Sequence, residues 1–290
     1  MKACKLVTRI LGLVLGLMAT ATTAYAPPLT FKFTTVNVPG ALQTYPLGVN
    51  NAGVSVGQYQ DKNMGIRGYI LNGKKLTTLD DPNGITFPWS LNLNGPIMVV
   101  GAYNSSVGNV VGFLYKGGKF TDIPGPAYAT NSDATGINDS GNIVGYYTDF
   151  VAEHGFLLKG KTYTTLDVPG ALGTAATGIN NSGKIVLVWW KSGGLSQSSL
   201  FDGKTYKTIN VPGATQSEAY GINTASDVIY DWLDGSNLQH GALLHAGRFY
   251  KFDRPKAVQT YGGGINDKHL VVGPYQAVKN GRWQGFKATY

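Results

Sequence analysis

Side chains that could do acid–base chemistry are few in this chain of 290 residues, of which 14% are charged. Glycoside hydrolysis needs two carboxyl groups held at a set separation, and only two glutamates are present, Glu153 and Glu218. Acids recur two residues before a proline, at Asp80, Asp122, Asp167 and Asp253, but Asn37 and Asn210 hold the same position. Because an amide cannot replace a catalytic carboxylate, we interpret these acids as turn or cap residues and find no catalytic constellation.

Nucleophilic and metal-binding groups are equally sparse. No serine has a histidine beside it in the sequence, and the single cysteine, Cys4, lies in an N-terminal segment that we expect to be removed. His154 and His240 occupy one repeat position, which elsewhere holds Arg67, Val111, Ser198 and Gln284. A position that accepts valine and arginine is not a metal-ligand position. We therefore expect no metal and no cofactor, and we favour binding over catalysis.

Candidate ligand-binding residues come from the two most divergent loops and from two further tryptophans. They are Trp190, Lys191, Asp231, Trp232, Asp234, Trp89 and Trp283. Exposed tryptophan beside aspartate and lysine suits stacking on a carbohydrate or a hot spot for a protein partner. The alternative is that these rings fill local gaps in a diverging repeat.

Two markers recur around these residues with one period. Asparagines at positions 50, 92, 138, 180, 223 and 266 are spaced by 42, 46, 42, 43 and 43 residues. Prolines at positions 39, 82, 124, 169, 212 and 255 are spaced by 43, 42, 45, 43 and 43 residues. A fixed period in this range is typical of a solenoid, a propeller or an array.

The composition of each unit favours a propeller. Every unit holds four short runs rich in Val, Ile, Tyr, Phe and Thr, separated by glycine-rich turns. Four antiparallel strands in about 43 residues match a propeller blade. The last unit stops after its third strand, while residues 31–40 resemble a fourth strand. We therefore predict an all-β, six-bladed β-propeller closed by the N-terminal strand, which removes both exposed edges.

Residues that repeat in every unit are expected to be structural. An aromatic side chain recurs at Tyr59, Tyr103, Tyr147, Trp189, Trp232 and Tyr275. Six equivalent rings fit packing between blades better than one ligand, so we favour packing over sugar stacking. For the six asparagines we favour a role in the turns over a polar ring.

The N-terminus carries the features of an export signal. Lys2, Lys5 and Arg9 precede the apolar residues 10–18, and small-x-small motifs allow cleavage after Ala21 or Ala24. We assign residues 1–24 to a signal peptide and residues 27–290 to one propeller domain, secreted or periplasmic. The apolar run is too short to span a bilayer, so we expect no membrane span in the mature chain.

Charge adds little about partners. Without the three N-terminal basic residues, 21 basic and 16 acidic side chains remain, and the positive charges form no run of four. We therefore expect no nucleic-acid binding. We also expect a monomer.

The repeat motifs resemble a known family. Gly-Ile-Asn at 136–138, Ile-Val-Gly at 143–145, His-Gly-Phe-Leu-Leu at 154–158 and Thr-Leu-Asp-Val-Pro-Gly-Ala at 165–171 are similar to the HAF-type extracellular repeat of bacteria. The resemblance covers about residues 31–288 and implies export, without an activity. Two units depart from it, because Leu187 and Tyr230 replace the glycine of Val-Gly.

The sequence predicts an exported, non-catalytic propeller that binds a carbohydrate or a protein partner through one loop face. Two alternatives stay open. One is a polysaccharide-acting enzyme, a glycoside hydrolase or a lyase. The other is a structural component of the cell envelope or matrix.

Overall fold

The computed structural model describes residues 29–290, so the predicted signal peptide lies outside the described residues. These residues form six antiparallel sheets, and each sheet contacts the next until the sixth returns to the first. The described chain is therefore a six-bladed β-propeller, as the repeat period predicts. Within this part of the chain, no helix is long and apolar enough to cross a bilayer.

The first three blades follow one another without crossovers. Blade 1 comprises β2 (Gln43–Val49), β3 (Ser55–Gln60), β4 (Ile66–Asn72) and β5 (Lys75–Leu79). Blade 2 comprises β6 (Gly84–Leu91), β7 (Met98–Ser105), β8 (Val110–Lys116) and β9 (Lys119–Ile123). Blade 3 comprises β10 (Asn131–Ile137), β11 (Ile143–Thr148), β12 (Glu153–Lys159) and β13 (Thr162–Leu166).

The remaining blades repeat this order, with the last one assembled from both ends of the chain. Blade 4 comprises β14 (Gly173–Ile179), β15 (Ile185–Trp190), β16 (Ser196–Phe201) and β17 (Tyr206–Thr208). Blade 5 comprises β18 (Gln216–Ile222), β19 (Val228–Leu233), β20 (Gln239–His245) and β21 (Arg248–Phe252). Blade 6 comprises β22 (Gln259–Thr260), β23 (Gly264–Ile265), β24 (Leu270–Gln276), β25 (Trp283–Thr289) and β1 (Lys32–Thr35).

The predicted closure by the N-terminal strand is confirmed. Strand β1 pairs antiparallel with β25, in a register that sets Phe33 opposite Ala288. Phe33 also packs on Phe286, with ring centroids 5.4 Å apart, and Phe31 packs on Phe252 at 4.8 Å. The outer edge of the last blade is therefore covered both by a hydrogen-bonded strand and by aromatic packing.

The repeated aromatic side chains lie in the blade interiors, as the packing interpretation predicts. All six are at least 92% buried; they are Tyr59, Tyr103, Tyr147, Trp189, Trp232 and Tyr275. Their polar atoms bond within their own blades, as Tyr103 does to Asp122 and Trp189 to Ser199. A buried polar atom needs such a partner, and these rings contribute apolar packing without facing the solvent.

The repeated asparagines do more than shape a turn. Oδ1 of Asn180 accepts hydrogen bonds from the backbone N–H groups of Ser182 and Lys184, which is the turn role that the sequence predicts. Its Nδ2 donates to the carbonyl of Asn223 in the next blade at 3.0 Å. The same link joins Asn138 to Asn180, Asn223 to Asn266 and Asn266 to Asn50. Our preference for turns over a polar ring was therefore too narrow, since one amide does both.

Blade 2 interrupts this chain of amides. There Asn92 donates to the carbonyls of Asn94 and Pro96 in its own loop. The spacing from this asparagine to the next is 46 residues, against 42 or 43 in the others. The longer loop of blade 2 supplies the carbonyl groups that accept from this amide. Its extra residues also account for the irregular spacing.

The acids that precede the prolines bind side chains of neighbouring strands and do not serve mainly to stabilise turns. Asp167 lies 2.9 Å from Nδ1 of His154, and Asp253 lies 2.9 Å from Nδ1 of His240. Asp80 forms the matching ion pair with Arg67. Their interpretation as turn or cap residues is therefore corrected: three of them contact the first residues of the third strand in their own blade, and Asp122 accepts a hydrogen bond from Tyr103 on the second strand.

Candidate functional site

The innermost strand of blades 1 to 5 carries a bulge that points an extra side chain at the propeller axis. In blades 1 to 5 the register between the first two strands shifts three residues before the repeated asparagine. A bulge inserts one unpaired residue and turns its side chain. In blade 2 this residue is Trp89, and in blade 5 it is Tyr220; both line the central cavity.

In blade 6 a glycine-containing segment takes the place of the bulge. Its first strand is split into β22 and β23 by Tyr261-Gly262-Gly263. A Cβ on Gly262 would lie 2.6 Å from the carbonyl oxygen of Tyr230 in blade 5, so a side chain there would collide with backbone. The buried N–H of Gly262 donates to Oδ1 of Asp231 at 2.7 Å.

A cavity of about 490 Å³ occupies the centre of the ring. A ring of six aliphatic side chains, each directly preceding a repeated asparagine, lines it in one layer: Val49, Leu91, Ile137, Ile179, Ile222 and Ile265. All six are at least 94% buried. Above this layer the cavity walls are polar and aromatic, so the cavity has an apolar layer on the side of the asparagines and a polar half towards the loops between the second and third strands.

Four carboxyl groups line the polar half of the cavity, in two pairs. Asp133 and Glu153 belong to blade 3, while Glu218 and Asp231 belong to blade 5. Blade 4 separates them, and in the polar half its inner strand contributes the small side chains Ala175 and Thr177. Because these residues are small, no bulky side chain of this strand lies between the two pairs in the polar half.

Asp133 is held by aromatic donors from two other strands. Its Oδ2 accepts hydrogen bonds from Nε1 of Trp89 at 3.0 Å and from the hydroxyl of Tyr146 at 3.2 Å. Its Oδ1 is buried without a hydrogen-bond partner, and the residue as a whole is 4% exposed. A buried acceptor without a donor is costly, so this atom is a position where a ligand could donate.

Burial governs the protonation of this side of the cavity. Loss of solvation raises the pKa of Asp133 to about 7, although the hydrogen bonds from Tyr146 and Trp89 oppose the rise. Burial also raises the pKa of Glu153 to about 7. Desolvation favours the neutral form of an acid, so both carboxyl groups change charge near neutral pH.

The pair on blade 5 has a similar environment. Burial raises the pKa of Asp231 well above its ordinary value, and the charge of Glu218 raises it further, against the hydrogen bond from Gly262. Glu218 accepts a hydrogen bond from the hydroxyl of Tyr220 at 2.6 Å. Its other oxygen lies 2.7 Å from Oγ of Ser196 on blade 4.

The structure brings four of the seven predicted ligand-binding residues to this cavity or its edge. Trp89 and Asp231 line it. Trp283 lies beside it, with its ring 5.1 Å from that of Tyr261 and 6.0 Å from that of Tyr45. Trp190 lies two residues beyond Val188, which lines the cavity, and so it points to the same side of β15, nearer the loop end.

The other three predicted residues lie away from the cavity. Trp232 is 7% exposed; His240 stacks on one face of its ring at 4.7 Å, and Nζ of Lys251 lies 3.9 Å from the ring centroid. Asp234 accepts hydrogen bonds from the backbone of Ser236 and Leu238. Lys191 is exposed, 5.2 Å from the ring of Trp189. In these positions the three side chains support loops and packing.

The cavity is also lined by six residues that the sequence did not predict as ligand-binding, namely Asp133, Glu153, Glu218, Tyr146, Tyr220 and Tyr261. A signal was present for some of them. The position five residues before the repeated asparagine varies between aromatic, acidic and small residues, and it holds Asp133, Glu218 and Tyr261. The two glutamates of the chain, noted as too few for catalysis, both lie in the cavity.

The loops around the mouth of the cavity form the apolar face of the molecule. Each of the six loops between second and third strands exposes an apolar side chain, through Met64, Val107, Phe150 and Val151, Leu195, Leu238 and Val278. Phe150 is 92% exposed. Since lone exposed apolar residues are ordinary but a ring of them is not, the predicted loop face is chemically distinct from the opposite face.

Comparison with solved structures finds several lectins among the chains with a similar fold. The SapL1 lectin, in complex with alpha methyl fucoside, matches over 86% of this chain and 95% of its own, with 12% identity and a TM-score of 0.57. AofleA from Arthrobotrys oligospora matches over 88% of each chain, with 14% identity and a TM-score of 0.54. The fucose-specific lectin from Aleuria aurantia matches over 87% of this chain and 96% of its own, with 15% identity and a TM-score of 0.51.

At these identities the likeness shows a shared fold. No protein-family model matches the chain, and no curated protein sequence matches it.

Proposed function

We propose that the protein is a non-catalytic carbohydrate-binding propeller whose ligand enters the central cavity from the loop face. One observation carries the proposal: four carboxyl groups and four aromatic side chains converge on one cavity of about 490 Å³. Cavities of 300–1,000 Å³ are typical of small-molecule sites. The size suits one or a few sugar rings rather than a peptide segment.

The chemistry of the walls fits a sugar. Carboxylate oxygens accept hydrogen bonds from hydroxyl groups, and such charge-assisted bonds are stronger than neutral ones. The rings of Trp89, Tyr146, Tyr220 and Tyr261 offer apolar faces with polar edges. A sugar presents the complementary pattern, with hydroxyl groups at its edge and C–H groups on its face. Because the walls are β-strands fixed by the ring, the site is preorganised.

The structural neighbours support the same class of ligand. SapL1 is a lectin in complex with a fucoside, and the Aleuria aurantia protein is a fucose-specific lectin. Both lectins share the fold of this chain, so a fucoside belongs in the test panel.

A glycan array with the chain from residue 29 tests the proposal. We expect binding to at least one glycan class, a loss of about tenfold or more in Trp89→Ala, and a smaller loss in Trp190→Ala. Phe150→Ala is the matched control, since it removes an exposed aromatic outside the cavity and should bind as wild type. Absence of glycan binding, or loss confined to Phe150→Ala, would contradict the proposal. The second outcome would favour a protein partner at the loop face.

An enzyme that acts on polysaccharides is the second candidate. The observation that favours it is the neighbouring pair Asp133 and Glu153, whose pKa values burial raises to about 7. An acid with a pKa near the working pH is suited to proton transfer. Turnover of a polysaccharide library by wild type, abolished in Glu153→Gln, would replace the binding proposal with this one.

Export and membership of the HAF-type repeat family are part of the proposal and stay predictions. The export prediction depends on residues 1–24, which lie outside the described residues. Detection of a mature N-terminus at residue 22 or 25 in the periplasm or medium would support it, and an intact N-terminus in the cytoplasm would contradict it.

A further inference from the structure

The cavity is acidic in a protein whose overall charge is positive. The chain from residue 29 carries 21 basic and 16 acidic side chains. Within the described part of the chain, four carboxyl groups line the cavity, whereas no lysine, arginine or histidine does. Basic side chains gather instead at the far ends of the blades, in the turns that contain Lys74, Lys116, Lys159 and Lys204. The acidic cavity is therefore a local feature and does not follow from composition.

Among residues 29–290, none of the four carboxyl groups forms an ion pair. Asp133 accepts only from the neutral donors Trp89 and Tyr146, and its Oδ1 is buried without a partner. Asp231 accepts from the backbone of Gly262. An ionised carboxylate at 4–5% exposure is strongly disfavoured unless an opposite charge or several donors compensate it. A cation in the cavity would supply that charge.

The aromatic walls favour the same kind of ligand. Trp89, Tyr146, Tyr220 and Tyr261 line the cavity beside the carboxyl groups. Aromatic faces attract cations, and the attraction strengthens when the cation is desolvated. Carboxylates combined with aromatic rings recognise an organic ammonium group better than a neutral hydroxyl group. The two carboxyl pairs lie on blades 3 and 5, so a ligand that touches both must span blade 4.

We propose that the cavity selects a sugar that carries a protonated primary amine, a glucosamine-type unit, over its neutral or N-acetylated counterpart. This inference rests on the proposed function and specifies its ligand. The amine donates to Oδ1 of Asp133 or to the pair on blade 5, and the sugar rings occupy the space that Ala175 and Thr177 leave open.

Proton release follows from this arrangement. The groups that face Asp133 are Trp89 on β6, Tyr146 on β11 and Glu153 on β12, with His154 next to Glu153. The groups that face Asp231 are Glu218, Tyr220 and Tyr261. Below pH 7 Asp133 and Glu153 hold protons, and a bound ammonium group would displace them. Affinity for the amine should therefore rise between pH 5 and pH 7, with protons released on binding.

Isothermal titration of the chain from residue 29 with a glucosamine tetramer and an N-acetylglucosamine tetramer tests the inference. We expect the amine form to bind at least about tenfold more tightly, and we expect proton release at pH 6 when two buffers of different ionisation enthalpy are compared. Asp133→Asn and Asp231→Asn should each reduce the preference about tenfold. Asp80→Asn is the matched control, because that acid lies in an exposed ion pair with Arg67 and asparagine already occupies its position in two repeats.

The outcomes separate the two proposals. Equal binding of the two tetramers without proton release overturns the preference for an amine and leaves carbohydrate binding intact. Binding of spermidine but of neither tetramer overturns the amino sugar as ligand and the proposed function together. Because proton release is measured on wild type, the inference is decided even if an aspartate variant does not fold.

Discussion

Single residues in the cavity carry charges that the fold tolerates at a cost. Asp133 is the clearest case, since its carboxyl group is buried, accepts two neutral hydrogen bonds and keeps one oxygen without a partner. Functional sites commonly hold such unfavourable groups, and the rest of the molecule compensates for them. The cost has a definite dependence on pH.

We expect stability to fall as the pH rises from about 4 to 7, opposite to an ordinary paired carboxylate. Burial raises the pKa of Asp133 from 3.8 to about 7, so in this range the folded state binds a proton that the unfolded state has released. The effect is on the order of 4 kcal/mol for a shift of this size. Asp133→Asn should be more stable than wild type at pH 8, and the difference should shrink towards pH 4. Urea unfolding across this range measures it.

Asp202 provides a control of opposite sign. Hydrogen bonds from the backbone of Thr205 and Lys204 lower its pKa, so its ionised form stabilises the fold above its unfolded pKa and loses that effect as the pH falls. Asp202→Asn should therefore be less stable than wild type at pH 8. If both variants change stability in the same direction at pH 8, buried charge does not explain the profile of Asp133.

The second and third strands of each blade pair a small residue with a larger one, in one of two arrangements. In four of them a glycine on the second strand faces a large aromatic on the third; the pairs are Gly57 with Tyr69, Gly101 with Phe113, Gly145 with Phe156 and Gly273 with Phe286. In blades 4 and 5 the sizes are exchanged, because Leu187 faces Ser199 and Tyr230 faces Ala242. The two departures from the repeat motif are thus compensated within their blades.

This exchange predicts strong coupling between Tyr230 and Ala242. Tyr230→Gly should cost about 3–5 kcal/mol through the cavity that it leaves, and Ala242→Phe should cost about 1–3 kcal/mol through overpacking. The double variant restores the pattern of the other four blades and should recover at least half of the summed loss. A double-mutant cycle from denaturant unfolding measures the coupling. Additive losses would show that the two side chains do not share one space.

The ring as a whole depends on closure by β1. This strand pairs with β25, and Phe31 and Phe33 cover the outer edge of blade 6. All six inner strands form the cavity, and β1 contributes no side chain to it. Loss of β1 should still weaken the site, because it removes one edge of blade 6. An open edge also invites pairing between molecules.

A truncation tests closure directly. A chain that begins at residue 37 should unfold at least about 10 °C below a chain that begins at residue 29, because it loses the strand ladder and two aromatic side chains. It should also self-associate in sedimentation. A synthetic peptide of residues 29–38 should restore most of the loss. Equal unfolding temperatures for the two chains would mean that the ring is equally stable without β1.

Sequence alone determined the architecture, because a propeller repeats one set of local requirements in every blade. The period of the asparagines and prolines, the six recurring aromatics and the displaced fourth strand are all local or periodic features, and each reflects a packing need that recurs six times. Turn chemistry and strand composition act over a few residues, so they can be recognised without knowing the fold.

Only the tertiary structure decided the site. Asp133, Glu153, Glu218 and Asp231 lie on four strands of two blades and are separated by up to 98 residues in sequence. Ring closure and the bulges in the inner strands bring them to one cavity, and burial there shifts their protonation. The sequence marked Trp89 and Asp231 as unusual, but it could not show that both line one cavity or that Trp232 is enclosed. A site made from positions that differ between repeats carries no period, and its geometry exists only once the ring has closed.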